Sequence, residues 1–104
     1  MRGDIYRLRS SGAEGHEQRG PRFAVEVQSD RIRLSTLLVA PTSTSARPSD
    51  LRPRVTMNGV TTYVLVEQTR AVNPETRLGD FAGRLDHEEL TAVDDALRLV
   101  LGLY

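Results

Sequence analysis

The 104-residue sequence contains no cysteine, no tryptophan and no lysine. Without cysteine there is no disulfide framework, no thiolate nucleophile and no Cys-based zinc site. No run approaches the ~18 apolar residues of a membrane span, and Met1-Arg2-Gly3-Asp4 lacks the apolar segment of a signal peptide, so the expectation is a cytoplasmic protein. Aromatics make up 5% and apolar residues 38% of the chain, a modest supply for one core. Residues 1–104 have room for one domain only, and a homodimer would bury apolar surface that one subunit leaves exposed.

The net charge is zero, which argues against a generic polycation that coats nucleic acid, but the charges are segregated. Residues 1–54 carry ten Arg against six acidic residues, and residues 55–104 carry four Arg against eight. The first half is therefore basic and the second acidic. Every basic residue is Arg, whose planar guanidinium makes the bidentate phosphate contacts that Lys cannot. An Arg habit is equally what a GC-rich coding sequence produces.

Alternation and turn chemistry outline the elements. Asp4 to Arg9 reads as an opening strand, followed by a long polar loop from Ser10 to Pro21. Arg22 to Gln28 and Leu34 to Ala40 read as two further strands, the second so continuously apolar that it belongs at the centre of a sheet. Pro41 to Pro53 is Ser-, Thr-, Pro- and Arg-rich and reads as a second long loop. Asn58-Gly59 between Val55 to Met57 and Val60 to Val66 is a hairpin signal, because both turn residues tolerate the φ > 0 positions of a type I′ turn. Arg70 to Val72 continues as strand, Asn73-Pro74-Glu75 as a turn, and Arg77 to Leu85 as a short strand. Asp86 with Glu89 three residues on is a capping box opening a helix whose Leu90, Val93, Leu97, Val100 and Leu101 make an apolar stripe, read here as core, before Gly102 stops it. Short strands followed by one helix make a mainly β fold, a small barrel capped by a terminal helix.

The segment Gly15-His16-Glu17-Gln18-Arg19-Gly20-Pro21-Arg22 concentrates a histidine, a carboxylate, an amide and two guanidinium groups. Such a set suits phosphoryl chemistry: RNA cleavage without a metal needs a base for the 2′-hydroxyl proton, a donor for the leaving 5′-oxygen and cations around the transition state. Glu17 or His16 can act as base, and Arg22 or Arg19 as cation. A merely solvated charged loop has the same composition.

The opening Arg2-Gly3-Asp4-Ile5-Tyr6, the loop Gly15-His16-Glu17-Gln18 with Arg22 ahead of a strand ending Val27-Gln28-Ser29-Asp30, the step Pro41-Thr42-Ser43, the segment Val66-Glu67-Gln68-Thr69-Arg70 and the leucine-rich terminal helix together resemble the MazF/PemK family of toxin endoribonucleases. The resemblance spans almost the whole chain. It implies an SH3-like (PemK/CcdB-like) barrel, a two-fold homodimer, metal-independent and cofactor-free cleavage of single-stranded RNA at short sequences, and a cognate MazE-like antitoxin as partner. By position, Arg22 corresponds to the family arginine at the scissile phosphate, Thr42 to the threonine that holds the phosphate or the attacking oxygen, and Glu17 to the loop glutamate implicated in activity. His16, Gln18, Arg19, Ser43, Gln68 and Arg70 are the corresponding RNA-binding candidates.

Three positions depart from the family pattern. Phe23 stands where proline is usual, His16 adds a group that titrates near neutral pH, and Glu26 puts a carboxylate in an apolar strand, where it needs a partner such as Arg33. Two other readings remain: a gyrase-inhibiting toxin on the same barrel, and a non-catalytic module that grips RNA without cutting it. His16 and His87 belong to no ligand cluster of zinc type, and no phosphate-cradling glycine loop of nucleotide-binding spacing is present. Tyr6 is the aromatic best placed in sequence to stack on a base.

Overall fold

The computed structural model describes residues 1–9 and 22–104. Among them seven strands form one curled antiparallel sheet: β1 (Asp4–Leu8), β2 (Phe23–Glu26), β3 (Leu37–Ser43), β4 (Arg54–Met57), β5 (Val60–Val64), β6 (Arg70–Val72) and β7 (Leu78–Arg84). The order is β4-β5-β3-β2-β1-β7, with β6 also paired to β3. A 3-10 turn (Val66–Gln68) and a single helical turn, α1 (Pro74–Arg77), interrupt the strands, and α2 (His87–Leu101) closes the chain.

β3 is central, as its apolar run requires, but it is shifted by three residues from the expected Leu34 to Ala40, starting at Leu37 and carrying Pro41-Thr42-Ser43 as strand rather than loop. On one edge it pairs with β2 through Val39, Ala40 and Pro41. On the other it meets β6 at Leu37 to Val39 and β5 at Thr42 and Ser43. Pro41 falls in the gap between those two partners, and its carbonyl accepts from Leu65 N on that same edge at 2.8 Å. The missing Pro N–H therefore faces no strand that needs it, which is how proline survives in a central strand.

The hairpin forms as its turn dictates: Asn58 (φ 53°) and Gly59 (φ 79°) both lie in the left-handed region and set Met57 opposite Val60. Asn73-Pro74-Glu75 tightens into α1, with the Asn73 side chain accepting from Glu75 N at 2.9 Å. In α2 both halves of the capping box are present: Asp86 Oδ1 accepts from Glu89 N (2.8 Å) and Glu89 Oε1 from Asp86 N (3.0 Å). Glu89 Oε2 also accepts from Thr56 N at 2.9 Å, tying the helix start to the edge strand β4.

Val93 and Ala96 of α2 pack with Ile5, Val25, Ala40, Val55, Val64 and Val66 in the main core, and Leu90 and Leu97 pack against it half-buried. The apolar spacing predicts core along the whole stripe. Its last turn is not core: Val100 is 38% and Leu101 64% exposed, because the helix runs past the sheet it covers. A smaller cluster of Ala24, Val39, Val72 and Leu78, with Tyr6, Leu8 and Leu37, lies on the opposite face.

Glu26 is buried, and its partner is not Arg33, which is exposed. Its Oε1 is 3.0 Å from the Met1 ammonium, which also lies 3.1 Å from Asp4 Oδ2, while Arg84 Nε reaches Asp4 Oδ1 at 2.6 Å. Both buried carboxylates are thus matched by cations. Burial pushes the Asp4 carboxyl up, but the bonds from Arg84 and the ammonium outweigh it and hold the group below its usual range. Burial likewise pulls the Met1 amine down, and Glu26 with Asp4 more than offsets this and raises it.

Candidate active site

Arg22 precedes β2 directly, and its carbonyl accepts from Leu8 N of β1 at 2.8 Å. That bond holds the backbone, so the side chain starts from a fixed point at the end of three paired strands. The guanidinium is half-buried, and its Nε is buried without a hydrogen-bond partner among the described residues. A buried donor on a cation is costly to leave unpaired, so this group calls for an acceptor.

The register places Ala24 opposite Pro41, so Phe23 faces Thr42 and, one step on, Ser43 comes level with Arg22. Thr42 is only 3% exposed, and its Oγ1 donates to the Phe23 carbonyl at 3.2 Å. The hydroxyl proton is therefore spent on the peptide next to Arg22, and Thr42 anchors the backbone from which the arginine projects. Phe23, the departure from the usual proline, packs half-buried against the main core and leaves this ladder intact. Ser43 Oγ is half-buried and interacts with Ser45, accepting from its N at 3.1 Å.

Gln68 ends the 3-10 turn, exposed, with its backbone N donating to Leu65 O at 2.9 Å. Leu65 in turn bonds Pro41, so the turn hangs on β3 beside the Thr42 step. Arg70 is exposed in β6 opposite Val39. Val39 and Ser43 are four residues apart, so Arg70 sits about 13 Å along β3 from the level of Arg22. The ladder brings Arg22, Thr42 and Ser43 to one end of β2 and β3, with Arg22 and Ser43 on one face and Thr42 on the other, while Gln68 flanks that end and Arg70, on the neighbouring β6, lies further along β3. His16, Glu17, Gln18 and Arg19 lie outside the described residues.

Sequence reading missed one pair beside the site. Arg52 donates from Nε (2.9 Å) and Nη2 (2.7 Å) to Glu67 Oε2, joining the segment after β3 to the 3-10 turn. Arg52's hydrogen bonds hold the Glu67 carboxyl below its usual range against the opposing pull of burial. The two residues are fifteen apart in mixed-charge segments, and only the fold shows that they meet. Among the described residues no group of three or more His, Cys, Asp or Glu is arranged to hold a metal ion, and no helix is long and apolar enough to cross a membrane.

A curled antiparallel half-barrel with a terminal helix is the architecture of small MazF-like toxin barrels. Residues 1–101 match the family described as PemK-like, MazF-like toxin of type II toxin-antitoxin system, and the chain belongs to that endoribonuclease family. It is 38% identical over 104 residues to the candidate toxin Rv3098A of Mycobacterium tuberculosis (strain ATCC 25618 / H37Rv), covering 99% of this chain and 98% of that one. Among solved structures it resembles a mycobacterial endoribonuclease in complex with its cognate antitoxin (TM-score 0.80, 20% identity, 100% of this chain and 96% of that one). It also resembles MazF from Deinococcus radiodurans (TM-score 0.77, 21% identity, 97% and 94%) and the Mycobacterium tuberculosis toxin MazF-mt6 (TM-score 0.73, 17% identity, 95% and 96%).

Proposed function

We propose that this chain, acting as one domain over residues 1–104, is a ribonuclease toxin that cuts single-stranded RNA without a metal. In this reading a base in the loop, Glu17 or His16, takes the 2′-hydroxyl proton, and the 2′-oxygen attacks the adjacent phosphorus. The P–O5′ bond breaks and the leaving 5′-oxygen takes a proton from solvent water, leaving a 2′,3′-cyclic phosphate on one product and a 5′-hydroxyl on the other. Charge on the non-bridging oxygens is met by Arg22, whose charge is fixed across the working pH range and which therefore stabilises charge rather than removing protons. Thr42 positions Arg22 through the Phe23 peptide, and Ser43, Gln68 and Arg70 contact flanking RNA with Gln18 and Arg19.

The Nε of Arg22, buried and without a hydrogen-bond partner among the described residues, carries the reading, with the Thr42–Phe23 bond holding the backbone beside it. It favours an anion-binding catalytic site over a gyrase-inhibiting barrel, which needs no buried cation in waiting. We further propose a cytoplasmic homodimer, with exposed Leu99, Leu101 and Leu103 as apolar surface for the partner copy, held inactive by a MazE-like antitoxin. The test is purified protein on single-stranded RNA in EDTA: cyclic-phosphate ends are expected, with loss of cleavage in folded Arg22→Ala. Equal cleavage by the variant overturns the site, and binding without cleavage by the unaltered protein turns the reading into that of an RNA-binding module.

A further inference from the structure

Strand alternation assigns the candidate residues to faces of the sheet. Tyr6 lies opposite both Ala24 and Phe81, Asp4 opposite Arg84, and Leu8 opposite Leu78; two register shifts in the β1–β7 ladder bring Arg84, Phe81 and Leu78, each three residues apart, to the face of Asp4, Tyr6 and Leu8, and the Tyr6 and Arg84 contacts to the Phe81 ring agree. Across β2 that face continues through Ala24 to Arg22, and across β3 through Pro41 to Ser43. Arg22 and Ser43 therefore stand at one end of the face that presents Phe81.

Phe81 is 55% exposed on the edge strand β7, although aromatics are scarce in this chain and the main core has no place for this one. The ring is held rather than loose. Tyr6 meets it edge-on at 5.9 Å between centroids with an interplanar angle of 76°, and the Arg84 guanidinium lies 5.9 Å from its centroid. Arg84 is itself fixed by its 2.6 Å bond to Asp4. A solvent-facing ring braced by a second ring and a guanidinium is the composition of a nucleobase-stacking platform. β7 lies two strands from β2, about 10 Å at ordinary strand spacing, so a chain running from Arg22 across β1 reaches Phe81 within a few nucleotides.

We propose that Phe81, braced by Tyr6 and Arg84, is a stacking subsite for an unpaired base of the RNA flanking the cleaved step. This rests on the ribonuclease reading and extends it. The subsite lies outside the catalytic residues and adds affinity with little sequence preference, because every base has a π-face. The phenylalanine supplies area and the arginine a cation, so the surface suits nucleic acid better than an apolar peptide.

The chain's lack of tryptophan makes the test direct. In Phe81→Trp the introduced indole is the sole tryptophan, and a single-stranded RNA 20-mer that the protein cleaves, 2′-O-methylated to block cutting, is expected to quench its emission. In Phe81→Ala, KM for the cleavable 20-mer is expected to rise roughly tenfold with kcat and melting temperature unchanged, and Phe81→Trp keeps the unaltered KM. Unchanged emission and an unaltered KM in Phe81→Ala, in protein that still cleaves, overturn the subsite alone. A fall in kcat at constant KM also overturns it. Absence of cleavage by the unaltered protein overturns the ribonuclease reading, and the subsite with it. Quenching by the antitoxin but not by RNA assigns the ring to a protein interface and contradicts the proposal.

Discussion

In the proposed reading Arg22 supplies charge at the candidate site and Thr42 supplies position. The guanidinium stays charged, so its removal subtracts transition-state stabilisation at every pH: Arg22→Ala is expected to lower kcat by about 10²–10³-fold or more. Arg22→Lys keeps the charge but loses the fork, and recovery should be partial in the same single-turnover assay. Thr42 acts through the Phe23 carbonyl, so Thr42→Ser should keep most activity, whereas Thr42→Val leaves that bond unmade and should lower kcat with little change in KM. A Thr42→Val enzyme of full activity would dismiss the positioning role. Arg22 and Thr42 stand as candidates from the sequence because they sit in ordered motifs that resemble a family, and the fold brings both to one end of the β2–β3 ladder. Arg52 and Glu67 were not legible as a pair, since a contact fifteen residues apart leaves no local signature.

Elements with strong local chemistry were readable to within a residue or two. The Asn58-Gly59 hairpin and the Asp86–Glu89 capping box formed as expected because each rests on backbone needs that few residues satisfy. Asp86→Ala should cost about 1 kcal/mol in denaturant melts. Gly59→Ala meets no neighbouring atom within 4 Å, so its cost is backbone strain alone, about 1–2 kcal/mol. Equal loss from Gly59→Ala and from a change at a neighbouring exposed strand position would refute that account. Where tertiary pairing decided, the reading missed: Pro41 entered a strand because its partners switch there, and the last turn of α2 stayed exposed although its apolar spacing continues.

For the whole molecule, paired charges set the pH window of stability. Asp4 and Glu67 are held below their ordinary values near 4, so the stability they add is present above that pH and fades as the pH falls through their folded values. The Met1 amine is raised above its ordinary value of about 8, so its contribution is present below that pH and fades as the pH rises through the folded value. Thermal melts across pH should show both limbs, and Asp4→Asn should flatten the acid one; an unchanged acid limb would reassign it to other carboxylates. The basic first half and acidic second half of the sequence meet in three dimensions where Arg2 pairs with Asp94 and Arg52 with Glu67, while the Asp4–Arg84 pair runs the other way. The proposal of a metal-independent ribonuclease turns on Arg22, whose Nε is buried and without a partner among the described residues. Incubating the unaltered protein and folded Arg22→Ala with single-stranded RNA in EDTA, and resolving the product ends, tests it most directly. Cyclic-phosphate and 5′-hydroxyl ends from the unaltered protein alone are the predicted result, and cleavage that requires added metal or survives in Arg22→Ala contradicts it.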